Sequence, residues 1–324
     1  MKLKAKILAT TAFAAVALVT GANASAQTYP NKTVNIVVPY PAGGATDVIA
    51  RLVAEGVRKT WGQPVIVNNR PGAGTVVGAD FVAKSPADGY TLFMTTAAHT
   101  ISDSLYRTLP YSPLKDFEPV TLTSVIPLVL VTKNSLPASN LKELLAHLKA
   151  NPSTSFASTG NGTPQHLTGA LFMAKNNLEM MHVPYKGDSP MLNDLVGNHV
   201  DLAFVTLSAA LPHIKAGRIK PIALAHSSRV DAISNVPTFT EAGMEGFEAA
   251  TWFGLLAPAG LPADVKRKIQ DDVMKAVATP ELTAKLVEMG GDVTNTTSEE
   301  FRTFMQAEAK NWAQAVKISG AQVD

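Results

Sequence analysis

Two glycine-rich segments carry the residue types best suited to holding an anion. The first, Pro39-Tyr40-Pro41-Ala42-Gly43-Gly44-Ala45-Thr46-Asp47, lies between an apolar β-branched run and an amphipathic stretch. Glycine lets backbone N–H groups approach a ligand closely, and a helix N-terminus behind them adds a positive potential. No Gly-Lys-Ser/Thr follows, so this is not a nucleotide phosphate loop, and the Gly-x-Gly-x-x-Gly fingerprint of dinucleotide binding is missing. A plain tight turn, with Asp47 merely complementing the helix end, explains the same residues equally well.

The second segment is Ser158-Thr159-Gly160-Asn161-Gly162-Thr163-Pro164-Gln165-His166. It is rich in hydroxyls and glycine and has no Lys or Arg. Thr163 sits where an N-cap belongs, and Pro164 at the first helical position. His166 then falls in the first helical turn, where the macrodipole disfavours a charged imidazole. A neutral donor or a structural hydrogen-bonder fits there better than a cation. Two further loops follow strands. Residues 96–100 make Thr96 and His99 candidates, and residues 185–189 add Tyr185. For His99 and His166 a purely local role remains open beside ligand contact.

Other chemistry is poorly supported. His147, His199, His213 and His226 have no partner pattern and read as surface or capping residues. The chain has no cysteine, which excludes thiolate metal sites, disulfides and a cysteine nucleophile. No metal-ligand spacing occurs, so neither a metal nor any other cofactor is expected. Gly-x-Ser-x-Gly is absent, and the spacing of Ser158 and His166 gives a triad no support. The expectation is a binding protein, not an enzyme.

The elements that must position these loops alternate. Thr33–Val38, Pro64–Asn68 and Tyr90–Thr95 read as strands, with helical periodicity over 48–61 and a short helix over 75–84. A β-rich run follows, Val120–Thr132. A second βα series has a helix over 139–150, strands near 155–158 and 180–184, a helix capped by Ser189-Pro190 and ended by Gly197, and strands at 201–205 and 219–225. Trp252–Ala257 reads as a second crossing, and helices near 263–278, 280–289 and 298–318 end the chain. Strands alternating with helices indicate parallel sheets, whose ligands bind beyond the strands' carboxyl ends. Two such series joined by two crossings predict a two-domain α/β protein with a cleft. The expected domains are 27–125 plus 248–324, and 126–247.

Residues 1–26 read as a secretion signal. Lys2, Lys4 and Lys6 precede the apolar stretch Ile7–Val19, and Ala24-Ser25-Ala26 supplies a small-x-small cleavage pattern. Cleavage is expected after Ala26. The whole chain has 28 basic and 26 acidic residues, so losing three lysines leaves a mature net charge of −1. That balance, with only 6% aromatics, argues against nucleic-acid and membrane-surface binding.

An ordered set of motifs strengthens the reading. Beside the two loops stand Arg70-Pro-Gly-Ala-Gly74, Ser85-Pro-Ala-Asp-Gly-Tyr90, Pro184-Tyr-Lys-Gly187, Gly217-Arg218, Val236-Pro-Thr238 with Glu241-Ala-Gly243, and Trp252-x-Gly254 with Ala257-Pro-Ala-Gly260. Together, over 29–324, they resemble the Bug/TctC-type periplasmic receptors of tripartite tricarboxylate transporters. The resemblance implies a type II periplasmic-binding fold, with two Rossmann-like βα domains closing on a small organic carboxylate. It implies a periplasmic monomer that serves the small and large membrane subunits of such a transporter, or alternatively presents its ligand to a sensor protein. It places Tyr40 to Asp47 and Ser158 to His166 around one carboxylate, through amides, hydroxyls and water. Family ligands include di- and tricarboxylates, acidic amino acids and aromatic acids. Asp188-Ser189 departs from the family, which often has Gly or small residues there. An extra carboxylate could repel a second acid group or bind an amine.

Overall fold

The computed structural model describes residues 29–319, so the proposed secretion segment lies outside the described residues. The first series comprises β1 (Val34–Val38), α1 (Ala45–Trp61), β2 (Val65–Asn69), α2 (Val76–Ala83), β3 (Thr91–Thr96) and α3 (Ala98–Leu105). Helix α1 buries Ile49, Ala50, Val53, Val57 and Trp61 along one stripe. It stops where Gly62 turns left-handed and donates its N–H to Arg58 O at 3.1 Å.

The second series comprises α4 (Leu141–Ala150), β5 (Ser155–Ser158), α5 (Pro164–Asn176), β6 (Met181–Pro184), α6 (Asp188–Val196), β7 (Leu202–Thr206), α7 (Leu207–Lys215) and β8 (Ile219–Leu224). Phe172, Phe204, Phe239 and Phe247 pack together at its centre. Within each series the neighbouring strands β2-β1-β3 and β7-β5-β6 pair as the order of the sheet dictates, with β1 and β5 parallel to their partners.

Two antiparallel strands join the series, β4 (Phe117–Lys133) and β9 (Ala250–Pro258). Strand β9 pairs with β3 on one side and β4 on the other. Strand β4 pairs with β9 from Phe117 to Pro127, then with β7 and β8 from Leu128 onward. The exchange of partners falls between Pro127 and Leu128. The chain finishes with α8 (Ala263–Val277), α9 (Pro280–Glu288), β10 (Asp292–Val293) and α10 (Ser298–Ser319). Helix α10 lays Phe301, Met305 and Val316 into the core around β9.

The periodicity misses α3 and α7. Helix α3 is eight residues long and has no side-chain cap, and α7 starts directly at the end of β7 and contains Pro212. One boundary also changes. Helix α6 is not capped by Ser189-Pro190; its N-cap is Gly187, at φ 134, and Asp188 is its first residue.

Candidate functional site

The loops beyond β1, β3 and β5 converge with the start of α6. They enclose a cavity of about 10 Å³ lined by Tyr40, Thr46, Thr96, Thr159, Gln165, Asp188 and neighbours. That is room for one water at most. A larger groove, about 720 Å³, lies on the other side of β9 against Phe304 and Trp312. It contains none of the loop residues, and a groove of about 420 Å³ takes in Gly43, Ala45 and Ser189 but nothing from the loops beyond β3 and β5, so the candidate site is the small cavity where all of these loops meet.

Backbone hydrogen-bond needs explain the loop 39–47. Gly43 has φ 85, and the start of α1 has no side-chain N-cap. Its free N–H groups turn to carboxylates: Gly43 N–H donates to Asp47 Oδ2 at 3.0 Å, and Ala45 N–H to Asp188 Oδ2 at 3.3 Å. Asp47 also receives Arg51 through Nε and Nη2, both at 2.9 Å, and Asn69 Nδ2 at 2.9 Å. Burial alone would raise the Asp47 carboxyl, but these donors hold it below the usual carboxylate range. Asp47 thus organises the loop and does not line the cavity. Tyr40 does, through a hydroxyl 3.0 Å from Thr96 Oγ1. Pro41 packs toward Gly187, and Ala42 O accepts from Ser189 Oγ at 3.2 Å. The Asp188 and Ser189 bonds therefore tie the first series to the second across the cleft.

The loop 158–166 is built the same way. Thr163 Oγ1 accepts from His166 N–H at 3.3 Å and donates to Gly160 O at 2.8 Å. Gly160 and Gly162 take φ 133 and 76. Gly160 N–H donates to Ser158 Oγ at 3.2 Å, and Gly162 N–H to His166 Nδ1 at 3.2 Å. An Nδ1 that accepts leaves the His166 proton on Nε2. Burial pushes this imidazole down to about 4, so it is neutral at pH 7, in line with its place at a helix N-terminus. Thr163→Ala should cost about 0.5–2 kcal/mol of stability as a lost N-cap. Chemical denaturation checks this, and a loss near zero would mean that water replaces the cap.

Two predicted residues point elsewhere. His99 is fully buried among Phe93, Tyr111 and Phe117, with Nε2 2.9 Å from Pro113 O. Burial lowers it to about 4. Tyr185 donates its hydroxyl to Asp194 Oδ2 at 2.6 Å, away from the lining. Ser158 lies just behind the lining, with Oγ 2.7 Å from His182 Nε2.

Sequence reasoning missed His182, which stacks on His166 at 4.2 Å and is lowered by burial to about 3. Its signal is the β5–β6 register, which sets it opposite Phe156. Gln165, Thr206, Thr251 and Phe253 also line the cavity, and Gln165 Nε2 donates to Thr206 Oγ1 at 2.9 Å. Gln165 was inside a quoted motif; the others come from strands, where only register decides which side chains face in. Asp188 is the sole charged side chain of the lining. Burial pushes its carboxyl up to about 6, against the pull of Ala45 N–H. No group of three or more potential metal ligands occurs among the described residues.

This arrangement can hold a small polar solute between two α/β halves, and the chain as a whole is similar to known proteins. The family model described as the tripartite tricarboxylate transporter family receptor matches residues 49–320. Protein BugT of Bordetella pertussis is 35% identical over 302 residues, covering 92% of this chain and 93% of BugT. The solved periplasmic binding protein BugD superposes with a TM-score of 0.88 at 33% identity, over 91% of this chain and 99% of that one. Rpa4515 of R. palustris, solved with adipate, gives 0.88 at 34% identity, over 91% and 100%. The cleft between two βα halves is thus that of a two-domain periplasmic-binding fold, and the chain belongs to the Bug/TctC family of tripartite tricarboxylate transporter receptors.

Proposed function

We propose that this chain is exported to the periplasm, captures a small organic carboxylate between its two halves, and delivers it to the membrane subunits of a tripartite tricarboxylate-type transporter. The halves are 27–125 plus 248–324, and 126–247, with β4 and β9 as hinges. It acts as a monomeric receptor and catalyses no reaction. The observation that carries this reading is the cavity itself. Hydroxyls of Thr46, Thr96 and Thr159 and the Gln165 amide meet there beside the N-termini of α1 and α5. Rpa4515 with adipate supplies the class of ligand.

The carboxylate rests on these neutral dipoles and on bridging water, since the Gly43, Gly160 and Gly162 N–H groups are already bonded within their own loops. Helix N-termini supply partial positive charge, so no arginine is required. Lys186 is exposed and is not part of the lining. A thermal-shift screen of organic acids first finds a binder, since ligand at about 100 times its Kd stabilises by roughly 2.7 kcal/mol. Calorimetry with that acid then tests the cradle. Lys186→Met should cost little. A loss beyond roughly 3 kcal/mol, the upper end for one charged hydrogen bond, would sink the neutral cradle. If no organic acid shifts the transition, the carboxylate reading fails.

A further inference from the structure

We infer that Asp188 sets the specificity of the cleft: its carboxylate selects a ligand that carries an ammonium group beside its own carboxylate, and disfavours a second carboxylate. This rests on the carboxylate-binding reading above.

The geometry supports it from three sides. Asp188 is 9% exposed and lines the cavity. Its Oδ2 accepts from Ala45 N–H at 3.3 Å, across the cleft, while the buried Oδ1 has no partner. An unpaired buried carboxylate oxygen is costly, and a donor brought by the ligand removes that cost. The rest of the lining holds no cation to balance a further acid. A dicarboxylate would set two like charges beside the buried Asp188, where repulsion is stronger than in bulk water. An amino acid instead offers its carboxylate to the hydroxyls of Thr46, Thr96 and Thr159 and its ammonium to Oδ1.

The pH response has a definite sign. Tyr40 is the other titratable group of the lining, and burial raises its phenol far above its ordinary value, so it stays neutral. Asp188 must be ionised to hold an ammonium, and burial sets its pKa at about 6. Amino-acid affinity should therefore tighten from about pH 5 to about pH 7 and then level off. A shared proton between Asp188 and a dicarboxylate would give the opposite slope.

The experiment is calorimetry of the mature protein, with Asp188→Asn and Asp188→Ser, against matched probes. The probes are dicarboxylates of three to six carbons, ω-amino acids of the same lengths, alanine and aspartate. In the wild type, an amino-acid probe should bind more tightly than the dicarboxylate of equal length. Both variants should weaken it about 10- to 100-fold, the range for one charged hydrogen bond, and abolish its pH slope. Asparagine is isosteric and serine lacks any acceptor of equal reach, so the two guard against a local folding defect in either. Dicarboxylates binding more tightly to the wild type, with the order unchanged in the variants, would overturn this inference and leave carboxylate capture standing. If no probe binds any of the three proteins, carboxylate capture falls, and this inference with it.

Discussion

Replacing Phe301 by alanine should lower the unfolding free energy by about 3–5 kcal/mol, the usual range for a buried phenylalanine. The ring is fully buried in α10. It lies against Gly254, where an added Cβ would collide with it, and meets Trp252 edge-on at 5.4 Å. Side chains alternate along a strand. Trp252 and Gly254 therefore face α10, whereas Thr251 and Phe253 face the cavity. The cut removes what fastens α10 to β9 without touching the ligand lining. The denaturant midpoint should fall with an unchanged m-value. Affinity for an organic acid, measured well below the transition, should hardly move. A stability loss under about 1 kcal/mol would mean that α10 collapses into the space.

Gly74→Val should weaken binding of the same acid by about 5- to 150-fold, the equivalent of 1–3 kcal/mol of overpacking. Gly74 has φ 59, and a Cβ there would lie 2.6 Å from Asn161 O and 2.6 Å from Tyr106 Oη. Asn161 belongs to the loop after β5, on the opposite side of the cleft. A side chain at 74 therefore opposes apposition of the halves and acts on affinity through the fraction of binding-competent protein. Left-handed strain alone is a separate matter. Gly217, at φ 63 with nothing within 4 Å, gives the control. Gly217→Val should cost stability and leave affinity intact. Equal affinity for wild type and Gly74→Val would show that the contact is irrelevant to binding.

Most of the scaffold was legible because each element announces itself. The stripe Ile49, Val53, Val57, Trp61 marks α1, and Thr163-Pro164 marks the start of α5. The three closing helices match their sequence-based spans within about two residues, the usual uncertainty of helix ends. Helices α3 and α7 were hidden by brevity and an internal proline. The site was half legible. Loop glycines and hydroxyls show in sequence, but partners do not. Asp47 reads either as a complement to the helix end or as a residue near the ligand, and only its bonds to Gly43, Arg51 and Asn69 show what occupies it. His99 reads as a loop histidine until its aromatic surroundings are known. His182 has no local motif at all, since its contacts with Ser158 and His166 arise across strands and stacking.

The unbroken course of β4 gives the molecule a lever. Its 17 residues reach roughly 55 Å at about 3.3 Å each, and the change of pairing at Pro127 sits beyond the middle. A bend of about 10° at such a fulcrum sweeps a point roughly 20 Å away through about 3.5 Å, more than the width of a water molecule. With the two halves moving as proposed, gearing of this kind would turn a small torsional adjustment in two strands into a large change of gape. In the proposed receptor, the length of acid held would then be governed as much by the stiffness of that fulcrum as by the side chains that meet the acid.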